Sequence, residues 1–262
     1  MLELNSNGTT KADKRQVQKH FSHSADTYRK GAQLQRHVGR RLLENLEPKQ
    51  MGLCLDLGCG PGLYTYELGE RFNSLISLDL SLSMLKENEN PAAKIQADGH
   101  ALPILSQSVD SVFSSLMIQW CDLDKVLAEV HRVLKPGGQA VISTLVSGTL
   151  FELKTAWSDV DEDCHVHQYL SQAEAEQAIS QQDWHRQETK AERQTFWFDN
   201  ARGLAKELKH LGANYVGQRH NKGLMTKRRW LRMERAYAER YLDKTTGQVP
   251  ATYQVLYLNL IK

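Results

Sequence analysis

A glycine-rich stretch carries the clearest chemical signal in this chain. Leu55 to Gly62 reads LDLGCGPG, with glycines at every second position from Gly58 onward, directly after a short apolar run. Glycine permits backbone angles that clash for other residues, and it lets a ligand lie against bare main chain. The stretch therefore predicts a ligand-binding turn between a strand and a helix.

The residues around this turn favour a ribose over a pyrophosphate. A dinucleotide fingerprint reads G-x-G-x-x-G, but Leu63 occupies the third glycine position counted from Gly58. Asp79 ends the next apolar run about 20 residues later, where a carboxylate can accept both ribose hydroxyls. A helix cap is the alternative role for Asp79, since Ser81 and Ser83 follow it. S-adenosylmethionine has an adenosine end without a pyrophosphate, so it fits this pattern.

The elements that must position these residues alternate between strand and helix. Such alternation predicts an α/β, doubly wound sheet of mostly parallel strands with right-handed crossovers. Two helices with a break near Gly31 are expected before the first strand, and an antiparallel strand is expected at the end. The predicted strands are 52–57, 74–80, 93–98, 109–116, 140–146, one within 184–198, and 250–261. The predicted later helices are 63–71, 123–134 (ended by LKPGG), 150–163, 171–181, 199–211 and 226–242.

Composition predicts a soluble, cytoplasmic protein without a membrane segment. The polar N-terminal stretch has no apolar signal region, and no run of about 18 apolar residues occurs. The 4 cysteines form no C-x-x-C pair, which argues against a zinc site and a disulfide framework. His165 and His167 have no third ligand at suitable spacing, so no metal is expected.

Charge is distributed unevenly along the 262 residues. The net charge of +2 conceals +6 over residues 11–49, −12 over residues 50–200 and +8 over residues 201–244. Basic ends favour an acidic partner, and a solvated helix face partly neutralised by Glu234 and Glu239 is the alternative. The densest basic cluster consists of Lys222, Lys227, Arg228, Arg229, Arg232 and Arg235.

Four motifs resemble those of class I S-adenosylmethionine-dependent methyltransferases. They are LDLGCGPG, the acid of SLDLS, QADGHALP and LKPGG, and they cover roughly residues 50 to 146. The resemblance implies a seven-stranded, Rossmann-like sheet. It also implies that the glycines lie under the methionine moiety, that the SLDLS acid holds the ribose, and that the QADG acid contacts the adenine rim, with a plain loop acid as its alternative. The implied cofactor residues are Asp56, which orders the turn, Gly58, Gly60, Asp79, Leu80, Asp98 and Gly99.

Segments both inside and well outside the cofactor region resemble a narrower family, the malonyl-acyl-carrier-protein O-methyltransferases of biotin synthesis. These segments are FSHSADTYRKGAQLQRH, LMIQWCDLDKVLAEVHRVLKPGG, FWFDNARGLAKELKHLGAN and VPATYQVLYL, while the first dozen residues match nothing. The resemblance implies methyl transfer to the free carboxylate of malonyl-acyl carrier protein, or of malonyl-CoA, without nucleic acid or membrane. SSLMIQW also stands where nucleic-acid amine methyltransferases carry a proline-rich clamp, which argues against base methylation.

The resemblance also divides the chain by function. Residues 1–49 are expected to form a helical lid, residues 50–148 the cofactor-binding core, and residues 149–262 the rest of the domain with substrate-binding and carrier-binding insertions. Because carboxylates are ionised at neutral pH, no general base is expected. The candidates for lining the methyl-transfer pocket are Tyr28, Gln33, Gln119 and Trp120, with ordinary packing or exposure as the alternative for each.

Three other functions stay open at this stage. One is a class I methyltransferase of another small molecule, such as a quinone precursor. A second is a nicotinamide-dependent oxidoreductase, which Leu63 disfavours. The third is an RNA-binding protein that uses the basic ends.

Overall fold

The computed structural model describes residues 11–47, 52–213 and 226–262. Its strands form one seven-stranded sheet in the order β3-β2-β1-β4-β5-β7-β6. The strands are β1 (Leu53–Leu57), β2 (Ser74–Asp79), β3 (Ala93–Gln96), β4 (Val109–Ser115), β5 (Leu134–Leu145), β6 (Arg186–Phe198) and β7 (Val249–Ile261).

The first five strands run parallel, and β7 pairs antiparallel with both β5 and β6. The predicted mostly parallel sheet with an antiparallel C-terminal strand is therefore confirmed. Because the carboxyl ends of parallel strands share one edge of a sheet, the turn after β1, the acid that ends β2 and the loop after β3 meet there.

Helices cover both faces of the sheet, so there are two apolar cores. On one face Leu34, Val38 and Leu42 pack with Phe113, while on the other Val126 packs with strand residues of β1 and β4. Within the described ranges, no helix is both long and apolar enough to cross a bilayer. The helices are α1 (Lys11–His23), α2 (Gln33–Glu44), α3 (Thr65–Arg71), α4 (Leu82–Glu87), α5 (Leu123–Val133), α6 (Phe151–Ser158), α7 (Gln172–Ser180), α8 (Ala201–His210) and α9 (Lys227–Tyr241).

Two predicted boundaries were wrong. β5 begins at Leu134, six residues before the expected start. The LKPGG segment ends α5 but also belongs to the strand, because Leu134 pairs with Val109 and the Gly137 amide donates to the Lys262 carbonyl at 2.7 Å. The helix expected over 150–163 ends at Ser158, and an irregular segment follows it.

Candidate active site

The glycine turn is pinned to the neighbouring strand. The amides of Gly58 and Cys59 both donate to the Leu78 carbonyl, at 2.7 and 3.0 Å. Gly58 has φ of 72°, and a Cβ there would lie 2.3 Å from Met117 Cγ, so no larger residue fits. A Cβ at Gly60 would have no heavy atom within 4 Å, so the backbone there faces open space. The turn therefore offers bare main chain to a ligand.

Asp79 closes this turn from the next strand. Its Oδ2 accepts from the Gly60 amide at 2.9 Å, and its Oδ1 accepts from the Ser81 amide at 2.7 Å. Burial raises the pKa of Asp79, and these two amides oppose that rise. Ser81, not Asp79, caps α4, because its side chain accepts from the Met84 amide. Each carboxylate oxygen of Asp79 keeps a lone pair for a further donor such as a ribose hydroxyl.

Asp56 lies beneath the turn, where it is buried. It accepts from Thr65 Oγ1 at 3.2 Å, and Thr65 is the first residue of α3. Burial raises the pKa of Asp56 to about 7. This position links β1 to α3, so the geometry agrees with an ordering role for Asp56.

A cleft opens beside the turn at the carboxyl edge of the sheet. It holds about 800 Å³ of free space, its open mouth included. All of the predicted cofactor residues except Asp56 line it, together with two of the predicted transfer-pocket residues. These lining residues are Gly58, Gly60, Asp79, Leu80, Asp98, Gly99, Tyr28 and Trp120.

Asp98 lines the cleft and accepts three hydrogen bonds. Its Oδ1 accepts from the His100 amide at 3.0 Å and from His100 Nδ1 at 2.5 Å, and its Oδ2 accepts from Lys14 Nζ at 3.1 Å. The His100 hydrogen bonds, with help from Lys14, hold the pKa of Asp98 well below its usual range. Asp98 is therefore an ordered anion in the cleft wall.

The first helix lies against the cleft, within the segment expected to form a lid, but sequence reasoning did not specify which of its residues make the contacts. Gln18 Nε2 donates to the Leu80 carbonyl at 2.7 Å, and the Ser22 and Ser81 hydroxyls lie 2.8 Å apart. Lys14, Gln18 and Ser22 are spaced four residues apart, so they lie on one face of α1. This spacing is the sequence signal that could have indicated the polar contacts of the helix.

The transfer-pocket candidates separate in space. Tyr28 lies in the cleft near Asp79, and burial raises its pKa. Trp120 packs edge-on to Phe21 at 5.5 Å between ring centroids. The prediction that Gln33 lines the transfer pocket is corrected. The chain bends at the 3₁₀ turn Tyr28–Lys30, so Gln33 is exposed at the start of α2 and lines a separate groove.

Gln119 directly precedes Trp120 in the chain but is not among the described residues that line the cleft. Its Nε2 donates to the Leu116 carbonyl at 2.6 Å, while its Oε1 is buried without a hydrogen-bond partner among the described residues. His167 donates through Nε2 to the Gln119 carbonyl at 3.1 Å, and its ring lies 4.6 Å from that of Trp120. Sequence reasoning missed this role for His167.

The basic cluster on α9 is only partly exposed. Arg229 Nε donates to Asp161 Oδ2 at 3.0 Å, and its guanidinium also reaches Asp163 Oδ2 at 2.9 Å. His165 Nε2 lies 2.7 Å from Asp161, and the ligand atoms of these two acids and His165 lie within 4.8 Å of one another. Among the described residues, Asp161, Asp163 and His165 form the one cluster whose geometry could suit a metal cation, and the Arg229 guanidinium neutralises its two acids.

The other members of the cluster differ in exposure and partners. Arg232 reaches the Asp159 carbonyl at 3.3 Å, and Arg235 lies 3.9 Å from Glu239. Lys227 and Arg228 are exposed and have no ion-pair partner in the described part of the chain. Lys222 lies outside the described residues.

The sheet order and the cleft at its carboxyl edge define a class I methyltransferase fold. A methyltransferase domain model matches residues 55–142. The YcgJ protein of Bacillus subtilis shares this fold, with a TM-score of 0.61, 13% identity, and coverage of 87% of this chain and 98% of that one.

The malonyl-[acyl-carrier protein] O-methyltransferase of Hamiltonella defensa is 37% identical over 241 residues, covering 90% of each chain. The chain therefore belongs to the malonyl-[acyl-carrier protein] O-methyltransferase family. The biotin biosynthesis bifunctional protein BioHC of Cellvibrio japonicus is 38% identical over 260 residues, which are 97% of this chain but 51% of that protein. The chain thus spans about half the length of that bifunctional relative.

Proposed function

We propose that this chain transfers a methyl group from S-adenosylmethionine to the free carboxylate of malonyl-acyl carrier protein, and that malonyl-CoA is a second acceptor. The observation that carries the proposal is the cleft in which the bare backbone at Gly60 and the carboxylate of Asp79 meet. Membership of the O-methyltransferase family supports the choice of acceptor.

The cleft residues suit this cofactor. Open space at Gly60 leaves room for a ligand against the main chain, and Asp79 retains lone pairs for ribose hydroxyls. Asp98 presents an anion in the wall of the same cleft, where an exocyclic amine could donate. When bound, S-adenosylmethionine supplies an electrophilic methyl group.

The protein's own residues then act by positioning and by excluding water. The acceptor carboxylate is ionised at neutral pH, so no side chain has to remove a proton. Tyr28, Phe21 and Trp120 give the cleft an aromatic wall, and α1 covers its mouth. A dry, ordered cleft raises the rate because it holds the reacting atoms in line and strengthens electrostatic contacts.

The carrier protein is proposed to dock on the exposed part of the α9 cluster. Arg229 ties the start of α9 to Asp161, and six residues after Asp161 the chain brings His167 against Trp120 in the cleft wall. Arg228 and Arg232 are exposed on the same helix, and complementary charge speeds encounter with an acidic partner. The enzyme is proposed to act in the cytoplasm, where thiols such as those of its 4 free cysteines stay reduced.

Intact-mass analysis tests the proposal. Purified malonyl-acyl carrier protein is incubated with the enzyme and S-adenosylmethionine, and we expect the mass of one added methyl group. Acetyl-acyl carrier protein, which has no free carboxylate, is the matched control and should stay unchanged. An unmodified malonyl carrier alongside methylation of another metabolite would assign the chain to a different small-molecule methyltransferase.

A further inference from the structure

His100 joins the cleft to the start of α5. Its side chain is only 7% exposed and lies between Asp98 and Asp122. The Asp122 amide donates to His100 Nε2 at 2.8 Å, and His100 Nδ1 lies 2.5 Å from Asp98 Oδ1.

These two contacts fix the tautomer of the imidazole. A backbone amide can only donate, so Nε2 must carry a lone pair and not a proton. In this geometry the imidazole is therefore neutral, and Nδ1 carries the proton that it donates to Asp98. The orientation of the Asp98 carboxylate is then fixed, because its Oδ1 accepts hydrogen bonds from both the ring and the backbone amide of His100.

The remaining oxygen of Asp98 is directed to other donors. Oδ2 accepts from Lys14, whose side chain is 27% exposed, and Asp98 itself lines the cleft. A carboxylate oxygen has two lone pairs, so Oδ2 can accept from a ligand amine beside Lys14 or in place of it.

We propose that His100 is a positioning residue for the nucleobase of the methyl donor. Its Nδ1–H holds Asp98 so that Oδ2 accepts from the exocyclic amine of adenine, and the enzyme thereby distinguishes adenine from a base that lacks this amine. The inference rests on the proposed function, because it requires an adenosine-containing cofactor in the cleft.

Two isosteric substitutions separate the two hydrogen bonds of His100. In His100→Asn the amide nitrogen takes the place of Nδ1, so the donor to Asp98 is kept while the acceptor for Asp122 is lost. In His100→Gln the amide oxygen reaches the place of Nε2, so the acceptor for Asp122 is kept while the donor to Asp98 is lost.

Calorimetry with S-adenosylhomocysteine and with its hypoxanthine analogue, S-inosylhomocysteine, provides the readout. We expect the wild-type protein to prefer the adenine ligand about tenfold or more, the size expected for a hydrogen bond to a charged group. His100→Asn should retain the affinity for the adenine ligand to within about threefold and keep the preference, while His100→Gln should lose about tenfold and most of the preference.

Thermal unfolding should rank the two variants in the opposite order to ligand binding. His100→Asn leaves the Asp122 amide without its acceptor, so this variant should melt at a lower temperature than His100→Gln. Equal binding by the two variants, or better binding by His100→Gln, would overturn the inference while leaving the proposed function standing. A wild-type protein that binds neither nucleoside would overturn the proposed function itself.

Discussion

At the scale of single residues, Asp79 combines a structural and a binding role. It closes the glycine turn through the Gly60 amide and faces the cleft with lone pairs to spare. A hydrogen bond to a charged acceptor contributes roughly 1.5–3 kcal/mol, so loss of this carboxylate should be visible in binding.

Asp79→Ala should weaken binding of S-adenosylmethionine at least about tenfold, measured by calorimetry. Asp110→Ala is a matched control, because Asp110 accepts from the Leu53 amide at the opposite end of β1, away from the cleft. Unchanged affinity of a folded Asp79→Ala variant would remove Asp79 from the binding site.

Asp56 should make stability depend on pH. Its folded-state pKa of about 7 lies above the ordinary value of about 3.9, so the folded state binds more protons and its stability falls as pH rises between about 4 and 7. Asp56→Asn keeps an oxygen acceptor for Thr65 Oγ1 without that titration. The free energy of unfolding of the variant, relative to wild type, should therefore rise across this window in denaturant titrations. A difference that stays flat would show that Asp56 is not buried as described.

The predicted site residues that lie together at the cleft are those whose signal in the sequence was local. Gly58, Gly60 and Asp79 are set by a turn and by the strand next to it, and spacing alone indicated them. The contacts of Asp98 with Lys14, and of His100 with Asp122, join residues 84 and 22 positions apart, so no local pattern specifies them.

At the scale of elements, the N-terminal region divides into two parts with different roles. α2 is packed in the core through Leu34, Val38 and Leu42, so of the two described helices in residues 1–49 we propose α1 as the lid. α1 contacts the cleft through polar side chains as well as through Phe21, and the polar groups would exchange their partners for water on opening of the proposed lid.

A reversible crosslink tests the lid. Ser22→Cys combined with Ser81→Cys places two thiols where hydroxyls lie 2.8 Å apart, a separation compatible with a disulfide after small adjustments. Oxidation should slow both association and dissociation of S-adenosylhomocysteine in stopped-flow measurements, and a reducing agent should restore both. The two single variants, treated in the same way, are the controls. Rates that do not change in the oxidised double variant would show that the ligand enters by another route.

The order of the strands along the chain followed from the sequence because each apolar run in a parallel sheet is buried on both faces, whereas α4 was not among the predicted helices. The start of β5 was missed because LKPGG contains helix-ending residues, while its pairing with Val109 and with Lys262 depends on distant parts of the chain. The exposed position of Gln33 was missed because it depends on the bend at the preceding 3₁₀ turn.

At the scale of the whole molecule, the proposed docking surface on α9 is basic, whereas residues 50–200, which include the proposed cofactor-binding core, carry a net charge of −12. The +8 of residues 201–244 includes Arg229, whose charge is neutralised by Asp161 and Asp163, so sequence counting overstated the exposed charge. Arg228 and Arg232 remain exposed on α9. The acidic residues that neutralise Arg229 lie more than 60 positions away and could not be paired with it from sequence.

Arg228→Glu with Arg232→Glu should reduce kcat/KM for malonyl-acyl carrier protein about tenfold or more at low salt, while kcat/KM for malonyl-CoA should change much less. High salt should shrink the difference, because exposed charges are screened. Arg186→Glu is a control on β6, which runs in the direction of β5, so its first residue lies at the edge opposite the cleft. Equal losses with both substrates would rule out docking on this helix.

The position of β7 has a consequence for how the protein is made. Among the described strands, β6 pairs only with β7, and β7 is the last of the seven strands to leave the ribosome. During translation, β6 and one edge of β5 therefore have no pairing partner until β7 has been made, whereas every described residue that lines the cleft has already been translated. Because a ligand stabilises the state that it binds, a cofactor that entered the cleft at this stage would favour the folded form of the chain.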